Sequence, residues 1–285
     1  MAGTLYVVST PIGNLEDLTY RAVRVLSEVD LIACEDTRHS QKLLNHYGIK
    51  AKTVSYHEHN ERDRAEELIG QLKSGLDVAI VSDAGTPGIS DPGFRVVRLA
   101  LEADLKVVPI PGPTALVSAL VASGLPSDEF FFAGFLPARS GARRSRLAEL
   151  AGIPSTLVFY EAPHRMAASL KDAREILGER EAVVARELTK LHEEIARGRL
   201  SDLADKFSAG AQEARGEMVV VVDRNVLASA TTETSSEHSV SAIVARFEAE
   251  GLDGRSALKK SARHLGISRD EAYRRLTAER SREKL

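Results

Sequence analysis

The 285-residue chain has no tryptophan and a single cysteine, Cys34. One thiol permits no intrachain disulfide and no cysteine-based zinc site, and such sparing use suits a reducing cytoplasm. No run of about 18 or more apolar residues occurs, so nothing reads as a membrane span. The opening, MAGTLYVVSTPIGN, lacks a basic segment followed by a long apolar one. It reads as a first strand rather than a signal peptide, and the expected location is cytoplasmic. Several catalytic signatures are also missing. There is no G-x-G-x-x-G, no Walker lysine loop and no G-x-S-x-G elbow, and LHEEIA (191–196) is not H-E-x-x-H. HEHNERD (57–63) offers two histidines but no firm set of three metal ligands, so no metal is expected.

What is present is an ordinary globular mixture, 43% hydrophobic and 28% charged, long enough for two domains. The net charge of −3 is unevenly spread. Residues 239–285 hold eleven Arg and Lys against seven Asp and Glu, a net of +4, which leaves −7 on the rest. A basic tail on an acidic body hints at nucleic-acid contact, although a helical tail of this kind is equally a soluble docking module.

Apolar periodicity gives strands at 5–9, 31–34, 53–56, 77–82 and 106–110. Helices are predicted between them, one after Asp17 as a cap, one over about 40–47, one over 62–73 and one from Phe94. The second half alternates in the same way, with strands in EFFFAGF, STLVFYEA, AVVARE and GEMVVVV and helices in RRSRLAEL and HRMAASLKDAREIL. This is the pattern of an α/β fold, expected as residues 1–111 and 112–224. Residues 225–238, small and polar, read as a linker, and 239–285 as a three-helix module. Within it, SALKKSARHLGISRDEAYRRL has a helix, a break at Gly266 and a second helix capped by Ser268, the helix-turn-helix pattern. Leu258, Ala262 and Leu265, then Ala272, Tyr273 and Leu276, are expected to face inward. Lys259, Lys260, Arg269, Arg274, Arg275 and Arg280 are the candidate phosphate contacts.

Three loops rich in glycine and proline follow strands: TPIGN (10–14), SDAGTPGISDPG (82–93) and PIPGPTA (109–115). Ligands in open α/β sheets bind beyond the carboxyl ends of strands, and loops without a phosphate fingerprint suit a cofactor carrying an adenine, a ribose and an amino-acid tail. Asp91 and Pro92 are expected to start the helix after the second loop. Charged clusters stand at other strand ends: EDTRHS (35–40), FYEAPHR (159–165) and ARELTKLHEE (185–194). Each also reads as a solvated loop or charged helix start, EDTRHS with an internal Asp36–Arg38 pair.

Taken together, TPIGNLEDLTYRAVRVL, EDTRHS, SDAGTPGISDPG, PIPGPTA, GLPSDEFFFAGFLP, FYEAPHR, ARELTK and GEMVVVV resemble the ribosomal RNA small subunit methyltransferase I family, within the tetrapyrrole-methylase-like superfamily. The resemblance runs over about 4–223. It implies two α/β domains with S-adenosylmethionine in the cleft between them, a homodimer, and a small helical module. It also implies 2′-O-methylation of a cytidine ribose in the decoding region of 16S rRNA, position 1402 in the usual numbering, within the 30S subunit. Matched residue by residue, Pro11, Ala84, Gly85, Thr86, Ile89, Thr114, Ala115, Glu161 and Leu188 fall at the superfamily's cofactor positions. Thr86 stands where tetrapyrrole methylases often carry an acid and Leu188 where they often carry glycine, which argues against a corrin or sirohaem precursor as substrate. A ribose hydroxyl needs a proton acceptor, for which Asp36 and Glu187 are the candidates, with Arg38, Arg186 and Lys190 to hold a neighbouring phosphate. The competing readings are a methylase of a small tetrapyrrole and a ligand-sensing nucleic-acid-binding regulator without catalysis.

Overall fold

Five apolar runs of the first half pair in parallel as one sheet. These are β1 (Thr4–Val8), β2 (Leu31–Cys34), β3 (Lys52–Ser55), β4 (Val78–Val81) and β5 (Lys106–Ile110), in the order β3-β2-β4-β1-β5. The computed structural model describes residues 1–209, 218–224, 240–265 and 267–282. All four residues of β4, Val-Ala-Ile-Val, are buried, as an inner parallel strand requires. Helices α1 (Tyr20–Glu28) and α2 (Thr37–His46) cover one face around Leu26 and Ile32. Helices α3 (Glu61–Lys73) and α4 (Phe94–Glu102) cover the other around Leu68 and Ile80. Burying one such leucine stabilises by roughly 1.5–3 kcal/mol. β1 leads to α1 and its neighbour β4 leads to α4, on opposite faces. Beyond the carboxyl edge their chains run to opposite faces, the position where open α/β sheets leave a crevice for ligands.

Three local expectations are corrected. Asp17 does not cap α1. Residues Leu15–Asp17 form their own 3-10 turn, capped by Asn14, and Thr19 Oγ1 accepts the Ala22 N–H at 3.1 Å instead. Helix α2 begins at Thr37, earlier than the periodicity gave, because Asp36 Oδ1 accepts the Arg38 N–H at 2.8 Å and caps it. Asp91 and Pro92 do not start α4, whose cap is Gly93. The Gly88 N–H donates to Pro92 O at 3.2 Å, which keeps 88–92 turned, and Gly93 at φ 145° adopts a backbone that side chains disfavour.

The next helix, α5 (Ala115–Ser123), packs on a second sheet. That sheet holds β6 (Phe130–Phe135), β7 (Thr156–Glu161), β8 (Glu181–Arg186), β9 (Glu194–Arg199) and β10 (Met218–Val222), in the order β6-β7-β10-β8-β9. It is mixed. β6 and β7 are parallel, whereas β10 is antiparallel to β7 and β8, and β9 to β8. Helices α6 (Ser140–Leu150), α7 (Met166–Leu177) and α8 (Leu200–Ala209) pack on its other face around Phe159. β9 and α8 escaped the sequence reading. EIARGR is a charged edge strand with only Ala196 buried, so it lacks an apolar run. Both sheets belong to one compact unit, Met1–Arg224.

The second unit, Asn225–Leu285, is described from residue 240. Its helices α9 (Val240–Ala249), α10 (Gly254–His264) and α11 (Arg269–Arg282) share a core of Phe247, Leu258, Ala272 and Leu276. Ser268 Oγ accepts the Glu271 N–H at 3.2 Å, the cap that the sequence placed there. Tyr273, expected inside, is 62% exposed, because Ala272 and Leu276 already fill the inner face. The linker at 225–238, Gly266 and the side chain of Arg280 lie outside the described residues. Among the described residues no helix is long and apolar enough to cross a membrane.

Candidate active site

The crevice at the carboxyl edge of β1 and β4 opens into a cavity of about 390 Å³. Loop 82–93 forms one wall, with Asp83, Ala84, Gly85, Thr86, Ile89, Ser90 and Asp91. Ile12, Glu35, Thr114 and Ala115 contribute from the ends of the other strands. The second sheet supplies the opposite side, with Phe135, Tyr160, Ala185, Glu187, Leu188, Lys190 and Val219. All of this lies within the first compact unit.

The three glycine- and proline-rich loops are fastened to one another. The Thr10 N–H donates to Gly85 O at 2.8 Å and the Gly85 N–H returns to Thr10 O at 3.0 Å. Thr86 Oγ1 lies 2.8 Å from Ser9 Oγ and 3.4 Å from Pro113 O. One hydroxyl thus reaches the loops after β1 and β5. Below, Glu61 Oε1 accepts from the buried Tyr56 hydroxyl at 2.8 Å and, more loosely, from the Gly93 N–H at 3.4 Å. Burial and the neighbouring Glu61 carboxylate push the Tyr56 hydroxyl well above its ordinary range, so it stays a donor.

The opposite wall is a strained loop. Glu187 (φ 50°) and Thr189 (φ 66°) are both left-handed without being glycine, at a typical cost of about 1–3 kcal/mol each. Hydrogen bonds hold them there. The Lys190 N–H donates to Glu187 O at 3.0 Å, and the Thr189 N–H to Glu193 Oε2 at 2.7 Å. Between them Leu188 is buried against the second sheet. Gly13 closes against this loop so tightly that a Cβ there would lie 2.5 Å from Lys190 Cγ and 2.9 Å from Leu188 O. Tyr160 forms the floor, its ring edge-on to Phe132 at 5.0 Å and Phe135 at 5.3 Å.

Of the expected cofactor positions, Ala84, Gly85, Thr86, Ile89, Thr114, Ala115 and Leu188 line this cavity, and Pro11 and Glu161 do not. Glu161 is fully buried on the other face of β7, since side chains alternate along a strand and Tyr160 takes the cavity side. Its carboxylate accepts from Arg165 at 2.6 Å, from the Ala162 N–H at 2.8 Å and from the Ser169 hydroxyl. Glu187 and Lys190 line the cavity and pair at 2.9 Å. Asp36, Arg38 and Arg186 are not on its wall. Asp36 is occupied by its cap and by Arg38, 2.9 Å away, whose hydrogen bonds lower its pKa to about 2. Arg38 itself is 89% exposed. Arg186 pairs with Glu194 at 2.5 Å. In the helical module, Lys260 pairs with Glu250 at 3.2 Å, and Arg274 and Arg275 both pair with Glu271 at 2.9 Å. Glu35 and Tyr160 belong to the strand-end clusters EDTRHS and FYEAPHR, whereas Asp83, Ser90, Asp91 and Phe135 were not singled out as site residues. Only proximity to the punctuated loops and strand ends could have marked these four.

The lining combines four carboxylates, of Glu35, Asp83, Asp91 and Glu187, with one lysine. Such a set favours a cationic ligand, and the aromatic and aliphatic floor favours one with an apolar or planar part. S-adenosylmethionine, with its sulfonium, ammonium and adenine, fits these residues. Among the described residues no group of three or more His, Cys, Asp or Glu is placed to hold a metal ion.

The profile of the Tetrapyrrole (Corrin/Porphyrin) Methylases matches residues 4–204. The uroporphyrin-III C-methyltransferase of Thermus thermophilus, solved complexed with S-adenyl homocysteine, is similar in fold. It is 21% identical with a TM-score of 0.54, over 78% of this chain and 97% of that one. Fold and site thus define a methyltransferase of the tetrapyrrole-methylase type. More similar still in sequence are two proteins called ribosomal RNA small subunit methyltransferase I. That of Pseudomonas aeruginosa is 54% identical over 222 residues, 78% of this chain and 79% of its own. That of Mesorhizobium japonicum is 46% identical over 273 residues, 95% and 90% of the two chains. The chain belongs to the ribosomal RNA small subunit methyltransferase I family.

Proposed function

We propose that the protein transfers the methyl group of S-adenosylmethionine to the 2′-hydroxyl of the cytidine at position 1402 in the decoding region of 16S rRNA. In this reading it acts on the 30S subunit, in the cytoplasm and as a homodimer, with residues 1–111 and 112–224 as the two α/β domains that hold the donor. The observation that carries it is the pairing of family membership with a carboxylate-rich cavity that places Glu187 beside the loops expected to hold the donor.

When bound, the donor supplies a methyl group already activated by its sulfonium, so the protein's own task is alignment and proton removal. Loop residues Ala84, Gly85, Thr86 and Ile89, with Thr114, Ala115 and Leu188, hold the donor, whereas Pro11 and Glu161 lie off the cavity wall. Glu187 accepts the ribose hydroxyl proton on its carboxylate. Lys190, its partner at 2.9 Å, is placed to exchange that carboxylate for a substrate phosphate. Asp36 is the weaker candidate, since a carboxyl with a pKa near 2 is a poor base at neutral pH and its oxygens are engaged. Arg38 and Arg186 are left as outer phosphate contacts, each already paired.

The test is transfer of a labelled methyl group from S-adenosylmethionine by the purified protein, offered 30S subunits or a porphyrinoid. Label in 30S RNA supports the proposal. Label in the porphyrinoid alone, or in neither, sinks it in favour of a tetrapyrrole methylase or a non-catalytic regulator.

A further inference from the structure

Helix α10 reads GRSALKKSARH and holds four Arg and Lys side chains, one histidine and no acidic residue. Arg255, Lys259 and Arg263 stand four residues apart along one side of it, about 6 Å of rise between successive members. All three are exposed. Like charges at this spacing destabilise a helix, and a cation in the first turn opposes the helix dipole. The nearest acid in sequence, Asp253, is occupied as the cap. It accepts the Arg255 and Ser256 N–H groups at 3.0 and 3.1 Å and the Ser256 hydroxyl at 2.7 Å. Among the described residues none of the three side chains has an ion pair.

Of the module's other cations, Arg269 at the start of α11 is likewise exposed with no ion pair among the described residues, but it stands alone on its helix, and the others named in the sequence differ. Lys260 pairs with Glu250 and lies 4.1 Å over the Phe247 ring, and Arg246 also reaches Glu250, at 3.9 Å. Arg274 and Arg275, on the second helix of the helix-turn-helix pattern, share Glu271. That acid offsets the charge the sequence put forward for contact with nucleic acid. Among the described residues, the stripe of three cations without an ion pair is on the first helix.

We propose that Arg255, Lys259 and Arg263 are the phosphate-binding face of this module and track the backbone of the RNA substrate, and that Arg274 and Arg275 are not. The proposal rests on the reading of the substrate as rRNA. Its occupant is a polyanion with regularly spaced charges, which three exposed cations in line complement.

The test uses the full chain with Arg255→Gln, Lys259→Gln and Arg263→Gln combined, beside a second variant with Arg274→Gln and Arg275→Gln. All five side chains are exposed, and matching thermal melts check that the module stays folded. Filter binding to 30S subunits without methyl donor is measured over a range of salt, and methyl transfer is measured separately. The triple variant should bind on the order of tenfold or more weakly near physiological salt, with a salt slope shallower by about 2–3. The double variant should stay within about twofold of wild type. S-adenosylmethionine affinity should be unchanged in both. Unchanged binding and slope in the triple variant, or an equal loss in the double, overturns the proposal. So does a changed particle mass of the triple variant in solution, which would make the stripe a protein contact. Failure of the wild type to methylate 30S RNA would instead strike at the substrate reading, because binding is scored without turnover.

Discussion

Glu187 Oε1 and Lys190 Nζ lie 2.9 Å apart on the wall of the cavity, at either end of a turn closed by the Lys190 N–H to Glu187 O bond. The carboxylate closest in role, Asp36, is instead built into the start of α2. Substituting Glu187 by Gln keeps the volume and removes the base. It should lower kcat on the order of 10²–10⁴-fold while leaving S-adenosylmethionine affinity within a few-fold. Asp36→Asn keeps a competent helix cap and should retain most of the turnover. Steady-state kinetics with 30S subunits and calorimetric donor binding check both. Full activity of Glu187→Gln would remove it from the reaction.

Gly13 is a second point of control. A methyl group there would press on Leu188 O and Lys190 Cγ, at 2.9 and 2.5 Å. The backbone oxygen belongs to a loop already held in left-handed geometry, so the loop must shift rather than a flexible chain end. Gly13→Ala should weaken donor binding by on the order of tenfold, about 1.4 kcal/mol. Titration calorimetry reads it directly.

Remote from the cavity, Asp172 takes Arg143 at 2.6 Å, Arg144 at 3.1 Å and Ser140 at 3.1 Å, joining α6 to α7. Burial alone would raise its pKa, but these three partners outweigh that and hold it below the usual carboxylate range. A depressed folded value means stability present above the unfolded pKa of about 3.9 and lost as pH falls through the folded one. Asp172→Ala leaves the buried Arg143 unpaired and should cost about 3 kcal/mol at pH 7, a fall in Tm of roughly 6–12 °C. The variant should also lose part of the wild type's decline in stability below about pH 4. Thermal melts across pH check both.

Thr86 joins two other loops through one hydroxyl. Thr86→Val retains the shape and should cost about 1 kcal/mol of stability, with a several-fold weaker hold on the donor. Thr86→Ser, which keeps the hydroxyl, should behave like wild type.

The punctuated loops were legible because glycine and proline at the end of an apolar strand have few other uses. The punctuation marked the loops, the family resemblance named Ala84, Gly85, Thr86, Thr114 and Ala115 within them, and all five line the cavity. Phe135 was not legible as a site residue, since β6 (FFFAGF) is apolar on both faces, and FYEAPHR did not say whether Tyr160 or Glu161 faces the cavity. β9 was missed for the opposite reason. An exposed edge strand carries Glu194, Arg197 and Arg199 and mimics a loop. The role of Asp36 turned on local competition. Its position two residues before Arg38 serves a cap as well as a catalytic cluster, and the structure gives it to the cap.

The most direct measurement maps the product. Unmethylated 30S subunits are treated with the protein and S-adenosylmethionine, and the RNA is digested and analysed by mass spectrometry. A 2′-O-methylated cytidine at position 1402, absent when Glu187→Gln replaces the wild type, is the predicted result. A methyl group on a base, on another nucleotide, or on no RNA at all would contradict the account.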